Sequence, residues 1–205
     1  MPRSMKDPEF RGRQWDQRHA EHIAPINKLV ESLLSSQKDQ WLPYVAPLYG
    51  GINAEILNVL QDPGPRTQTV GGSGFICLEN DDPTAENMCL FLQSAGIEPA
   101  RALAWNADPW YINRNPKAEE LNEGARAFGQ LVKLLPKLRV LMLNGKAAQN
   151  MWKRAQRQGV SLPGGIVVIE TFHTSSRALL DEGRRGHVQA AFEKAGNVLR
   201  SAGEA

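Results

Sequence analysis

The stretch Ile56-Leu57-Asn58-Val59-Leu60-Gln61-Asp62-Pro63-Gly64-Pro65 decides the fold. Its first five residues are almost wholly apolar and short enough for a strand buried on both faces, as strands in parallel sheets are. The Asp-Pro-Gly-Pro that follows stops it at once, because this segment can neither continue a strand nor start a helix. A carboxylate, Asp62, therefore stands directly beyond the carboxyl end of a buried strand.

Working outward, the pattern repeats. Upstream, Ile23, Ile26, Val30, Leu33 and Leu34 fall on one face of a helix predicted from about His22 to Gln37. Residues 1–20 read as a polar N-terminal extension, with His19 and His22 as surface residues. Downstream lies a glycine-rich loop to Gly74. Asp82 then caps a helix with Pro83 at its first position, Met88, Phe91, Leu92 and Ala95 facing inward, and Gly96 ending it. Arg101–Asn106 is the second predicted strand. Asn115-Pro116 opens a helix with Leu121, Ala125, Phe128, Val132 and Leu135 inside. Leu138–Asn144 is the third strand, Lys146 to about Gln158 a helix, and Ile166–Glu170 the fourth strand. A last helix from Gly186 buries Val188, Ala191, Phe192, Ala195 and Leu199.

Strands and helices alternate four times. That predicts an α/β fold: three layers, α/β/α, around a central four-stranded parallel sheet, in one domain spanning 1–205. Sites in such sheets lie beyond the carboxyl ends of the strands. Asp62 follows the first strand, Asn106 ends the second, Asn144 and Gly145 end the third. His173, with Thr174, Ser175, Ser176 and Arg177, follows the fourth. Taken singly, Asp62 is a turn former, Asn106 a loop-fixing residue and His173 a structural hydrogen-bonder. Their common edge makes them candidates for one site.

Composition narrows the function. Residues 61–100 carry one basic side chain, Arg66, against six acidic ones, whereas residues 101–205 carry sixteen basic and nine acidic. A basic C-terminal half suits phosphates and equally a solvated surface. No apolar run approaches the ~20 residues a membrane helix needs, and Met1–His22 is too polar for a secretory signal. Cys77 and Cys89, the only cysteines, read as reduced thiols and cannot build a four-cysteine cluster or zinc site. The phosphate-loop, dinucleotide and nucleophile-elbow motifs are missing, and no His/Asp/Glu spacing suits a metal. No cofactor and no metal are expected.

Read in order, the strand-end segments resemble the uracil-DNA glycosylase superfamily. Gln61-Asp62-Pro63-Gly64 resembles its first motif and Leu103-Ala104-Trp105-Asn106 its uracil-reading strand. Asn113-Arg114-Asn115-Pro116 with Glu119 is similar to the segment before the next helix in the thermostable branch. Val140–Gly145 resembles the third strand, and Glu170-Thr171-Phe172-His173-Thr174-Ser175 the last motif. The match spans about Ile56 to Leu180. Gly64 stands where the classical branch has tyrosine, and Thr174 where proline is usual. The cluster-binding cysteines of the thermostable branches are missing, so the resemblance is to a divergent branch without an iron–sulfur cluster.

The resemblance implies a monomeric, monofunctional glycosylase of base-excision repair that acts on uracil-containing DNA, with no membrane partner, in a bacterial cytoplasm beside the nucleoid. It implies Asp62 and His173 as catalytic residues, and Gln61, Gly64, Phe75 and Asn106 around the flipped base, Phe75 as its stacking partner. Asn106 would accept from uracil N3–H and donate to O4, a pattern cytosine reverses. Arg66, Ser175, Ser176 and Arg177 become DNA contacts, Arg177 either entering the duplex or holding a phosphate. At Gly64, where tyrosine excludes thymine's methyl group, either another group fills the space or the pocket admits larger 5-substituents. Two alternatives remain open on the residues alone: a non-catalytic nucleic-acid-binding relative, and a small-molecule hydrolase on the same fold.

Overall fold

The computed structural model describes residues 2–36, 40–68 and 70–201. Helix α1 (Pro8–Asp16) starts where the Asp7 carboxylate accepts from the Glu9 N–H at 2.9 Å, with Pro8 in the first turn. Helix α2 (Ala24–Ser36) buries Ile26, Val30 and Leu33; Gln37, its expected end, lies outside the described residues. Strand β1 (Tyr44–Val45) leads to β2 (Ile56–Leu60), then β3 (Phe75–Ile76), which pairs with β1 in a small parallel sheet of its own. Helix α3 (Pro83–Ser94) is capped by Asp82, which accepts from the Thr84 and Ala85 N–H groups, both at 2.9 Å. Then come β4 (Ala102–Asn106), α4 (Ala118–Val132), β5 (Val140–Asn144), α5 (Lys146–Arg157), β6 (Val167–Thr171) and α6 (Glu182–Ser201).

The main sheet has four parallel strands in the order β4-β2-β5-β6. Ile56 is opposite Ala102 on one side and Val140 on the other, and Val140 is opposite Val167. Helices flank the sheet in a three-layer α/β/α arrangement; α3 packs with α6, and α4 with α5 and α2. β4 and β5 are buried at every residue, which is why they appear as unbroken apolar runs. From central β2 the chain moves to β4 on one side and to β5 on the other. The order therefore reverses beside β2, and there the diverging loops open a crevice at the carboxyl edge.

The polar N-terminal segment packs on the domain: Met5 is buried in the core, and Trp15 donates its indole N–H to the Ser73 carbonyl at 3.2 Å while its ring lies 4.8 Å from that of Phe75. Three expectations need correction. His22 is half-buried, with Nε2 2.8 Å from the Pro47 carbonyl. Helix α4 begins at Ala118 rather than at Pro116, because residues 113–115 are drawn across Asp62. The helix start is fixed instead by Glu120, whose carboxylate accepts the Lys117 N–H at 2.6 Å. Helix α6 begins four residues before Gly186, because Asp181 accepts from the N–H groups of Gly183 (2.7 Å) and Arg184 (3.2 Å) and so offsets the two glycines of its first turns.

Candidate active site

A cavity of about 450 Å³ opens at the carboxyl edge of the main sheet. Its walls include Gln61, Asp62, Gly64, Asn106, His173, Ser175 and Arg177. Residues expected to act together from three separate strand ends thus share one wall. Ser176 is exposed on the same loop, and Arg66 faces an adjoining cleft. Phe75 is a correction: its ring is fully buried against Trp15 and Tyr44 and does not line the cavity. The residues that follow it, Ile76, Cys77 and Leu78, form that wall instead.

Asp62 is held on both oxygens. Oδ1 accepts from Gln61 Nε2 at 3.0 Å and Oδ2 from the Asn113 N–H at 3.0 Å. Burial pushes its carboxyl above the ordinary aspartate range; the hydrogen bonds from Gln61 and Asn113 and the nearby Arg114 charge oppose that rise without cancelling it. The result is a half-buried, oriented carboxylate, suited to stabilising a developing cation or to taking a proton from water.

His173 is fixed by its own turn. The Ser175 N–H donates to Nδ1 at 3.0 Å, so Nδ1 is the acceptor and the neutral ring carries its proton on Nε2. Burial pushes its pKa down to about 4, so the ring is uncharged near neutral pH and presents Nε2–H as a donor. Two supports set its position. Gly145 turns with φ of 92°, and a Cβ there would stand 3.1 Å from the His173 Cβ; the absence of a side chain lets the histidine close on β5. Behind it Thr174, fully buried, accepts from Asn87 Nδ2 at 2.8 Å through its carbonyl, and its hydroxyl lies 3.4 Å from the Thr84 carbonyl. The segment after β6 is thereby tied to the first turns of α3.

Asn106 ends β4 almost wholly buried, yet its side chain makes no hydrogen bond among the described residues. Its amide faces the cavity with both donor and acceptor unused. An amide held that way is a reader of a ligand's hydrogen-bonding edge, since a mismatched partner leaves a buried polar group unpaired at about 1–3 kcal/mol. Opposite it Gly64 is exposed, and a Cβ there would meet nothing within 4 Å.

Two residues of this region escaped the sequence reading. Asp108 is buried to 1 % exposure just past β4, where its N–H continues the ladder to the Gln61 carbonyl at 2.9 Å. Its Oδ1 accepts from the Trp110 N–H at 3.1 Å, Oδ2 has no hydrogen-bond partner among the described residues, and burial raises its pKa to about 7. A carboxylate set between Trp105 and Trp110 and followed by Pro109 was the available signal. Asn113 was read only as part of a motif; its left-handed backbone, φ 51°, is what aims its N–H at Asp62.

Among the described residues no three His, Cys, Asp or Glu side chains gather as a metal would require, and no helix is long and apolar enough to cross a membrane. No protein-family model and no curated protein sequence matches the chain.

Proposed function

We propose that the chain is a monofunctional uracil-DNA glycosylase that extrudes uracil from DNA and hydrolyses its N-glycosidic bond, leaving an abasic site for base-excision repair. One observation carries this reading. An unpaired amide (Asn106), an oriented carboxylate (Asp62) and a neutral imidazole donor (His173) converge on a single cavity. Those three groups match the demands of the reaction one by one.

A base inside a duplex is out of reach, so the nucleotide must first be flipped, at a cost of a few kcal/mol. Asn106 accepts from uracil N3–H and donates to O4. Breaking the bond between C1′ and N1 sends its electron pair to the base and leaves cationic character on the sugar. His173 donates from Nε2 to O2, where the leaving group's charge gathers, and because the ring starts neutral it withdraws no proton from solvent to do so. Asp62 stabilises the sugar cation and takes a proton from the water whose oxygen bonds to C1′. Donors of this kind contribute roughly 3–4 kcal/mol in comparable sites. Ser175, Ser176, Arg66 and Arg177 contact the flanking strand. The same reading makes the enzyme a monomer of a bacterial cytoplasm, working beside the nucleoid without cofactor or metal.

The test is incubation with uracil-containing oligonucleotides, single-stranded and paired with A or G, in EDTA, followed by alkali. Strand breaks at the uracil are expected, slowed by orders of magnitude in Asp62→Asn and substantially in His173→Ala under single-turnover conditions. Intact DNA in all three substrates with the wild-type chain overturns the proposal.

A further inference from the structure

A second concavity, about 340 Å³, lies on the far side of Asn80 from the cavity just described; Asn80 forms part of the wall of both. One bank is the N-terminal segment, with Lys6 and Arg11. The other is the glycine-rich loop, with Arg66, Gly71 and Gly72. That loop is tightly made. The Ser73 N–H donates to the Arg66 carbonyl at 3.0 Å and the Gly74 N–H to the Gln68 carbonyl at 3.1 Å, while a Cβ on Gly72 would stand 2.5 Å from the Arg66 carbonyl oxygen.

The charges in this cleft reverse what the local sequence suggests. Residues 61–100 are strongly acidic, which is unsuited to a polyanion. The N-terminal segment corrects this. Arg3 reaches Glu86 at 2.7 Å and Asp81 at 3.2 Å, and Lys6 reaches Asp81 at 3.2 Å. With Asp81 answered, Arg11 and Arg66 pair with no carboxylate among the described residues; Arg11 donates only to the Met5 carbonyl at 2.9 Å. Two unneutralised guanidiniums and backbone amides at a glycine turn are the chemistry that holds a phosphodiester.

We infer that the cleft between the N-terminal segment and the glycine-rich loop is a phosphate-binding site for the DNA strand beside the flipped nucleotide, with Arg11 and Arg66 as its cations. This rests on the glycosylase reading and deepens it. The N-terminal segment becomes part of the DNA-binding surface, although it is remote in sequence from every strand end.

The test measures binding of a uracil-free oligonucleotide by fluorescence anisotropy across a salt series, so that it is independent of cleavage. Arg11→Ala should weaken binding several-fold and flatten the salt dependence by about one ion equivalent. Arg66→Ala, whose side chain makes no hydrogen bond among the described residues, should flatten it by about one without touching the fold. Unchanged affinity and slope in both variants overturn the inference even when uracil cleavage is intact. A wild-type chain that binds inorganic phosphate at matched ionic strength but no DNA also overturns it.

Discussion

The backbone N–H of Asn113 donates to Oδ2 of Asp62 at 3.0 Å, and it does so from a left-handed conformation with φ of 51°. Asparagine tolerates that region and glycine is free in it, whereas a β-branched residue is strained there. Asn113→Gly should keep the clamp and most of the single-turnover rate. Asn113→Val should release Asp62, destabilise the chain by about 1–2 kcal/mol and slow uracil release at least ten-fold. Single-turnover kinetics with thermal melts on both variants provide the check; equal rates in the two would contradict the clamp.

His173 sets a pH signature. With its pKa held near 4 by burial, kcat/KM should pass level through pH 6.5, where an ordinary imidazole titrates. Activity should fall only at lower pH, as His173 and the burial-raised Asp62 take up protons. The stability consequence has the same sign. In unfolded chain the histidine protonates near pH 6.5 and in folded chain not until about 4, so folding stability is lost as pH falls through that window. A rate profile from pH 4 to 8.5 decides it. An inflection at 6.5 that vanishes in His173→Asn would show that the ring titrates as an ordinary imidazole, and a rate that falls above that inflection would show that the charged ring is the one required.

Asp108 predicts the opposite slope. Its folded pKa, raised to about 7 by burial, lies above the unfolded value, so the folded state binds the extra proton between about pH 4 and 7. Its contribution is present at low pH and is lost as pH rises through 7. Asp108→Asn keeps an acceptor for the Trp110 N–H without the charge. Its melting temperature should exceed wild type at pH 8, and by much less at pH 5. Parallel shifts at both pH values would mean that ionisation plays no part.

At Gly64 the backbone is extended (φ −76°, ψ 167°) and the space beyond a Cβ is open, so the wild-type pocket has no side chain there to exclude a 5-substituent. A methyl-sized difference is worth about 1–3 kcal/mol, so 5-methyl- and 5-hydroxymethyluracil should be released no more than about 100-fold more slowly than uracil. Gly64→Tyr should fold normally and widen that gap. Complete inactivity of the wild type on every 5-substituted uracil, with uracil release intact, would contradict the steric account.

The main sheet and the three converging groups were readable because each depends on local pattern. β2, β4 and β5 are buried nearly throughout and appear as largely apolar runs, β2 broken only by Asn58, and Asp62, Asn106 and His173 stand where those runs or their neighbour stop. What escaped depends on distant partners. β1 and β3 have two residues each, too few for a period to show. Phe75 is withdrawn from the cavity by Trp15, far upstream, and α1 was hidden by its polarity although Asp7-Pro8 repeats the signal of Asp82-Pro83. Asn113 and Asp108 acquire their roles only when the loop after β4 folds over Asp62.

The strand order has a consequence in time. Central β2 is paired on both edges by strands synthesised after it, and β6, the last of the four, closes against β5. Every ladder of the main sheet is parallel and must wait for an intervening helix, which makes assembly of the sheet slow relative to local structure. A nascent chain that has emerged only as far as Gln158 already holds Asp62 and Asn106, but exposes the wholly apolar edge of β5 and lacks His173. Such an intermediate is prone to associate through that edge. Arrival of β6 covers the edge and brings His173 to Asp62 and Asn106 in one step, so closure of the sheet and completion of the cavity wall are the same event.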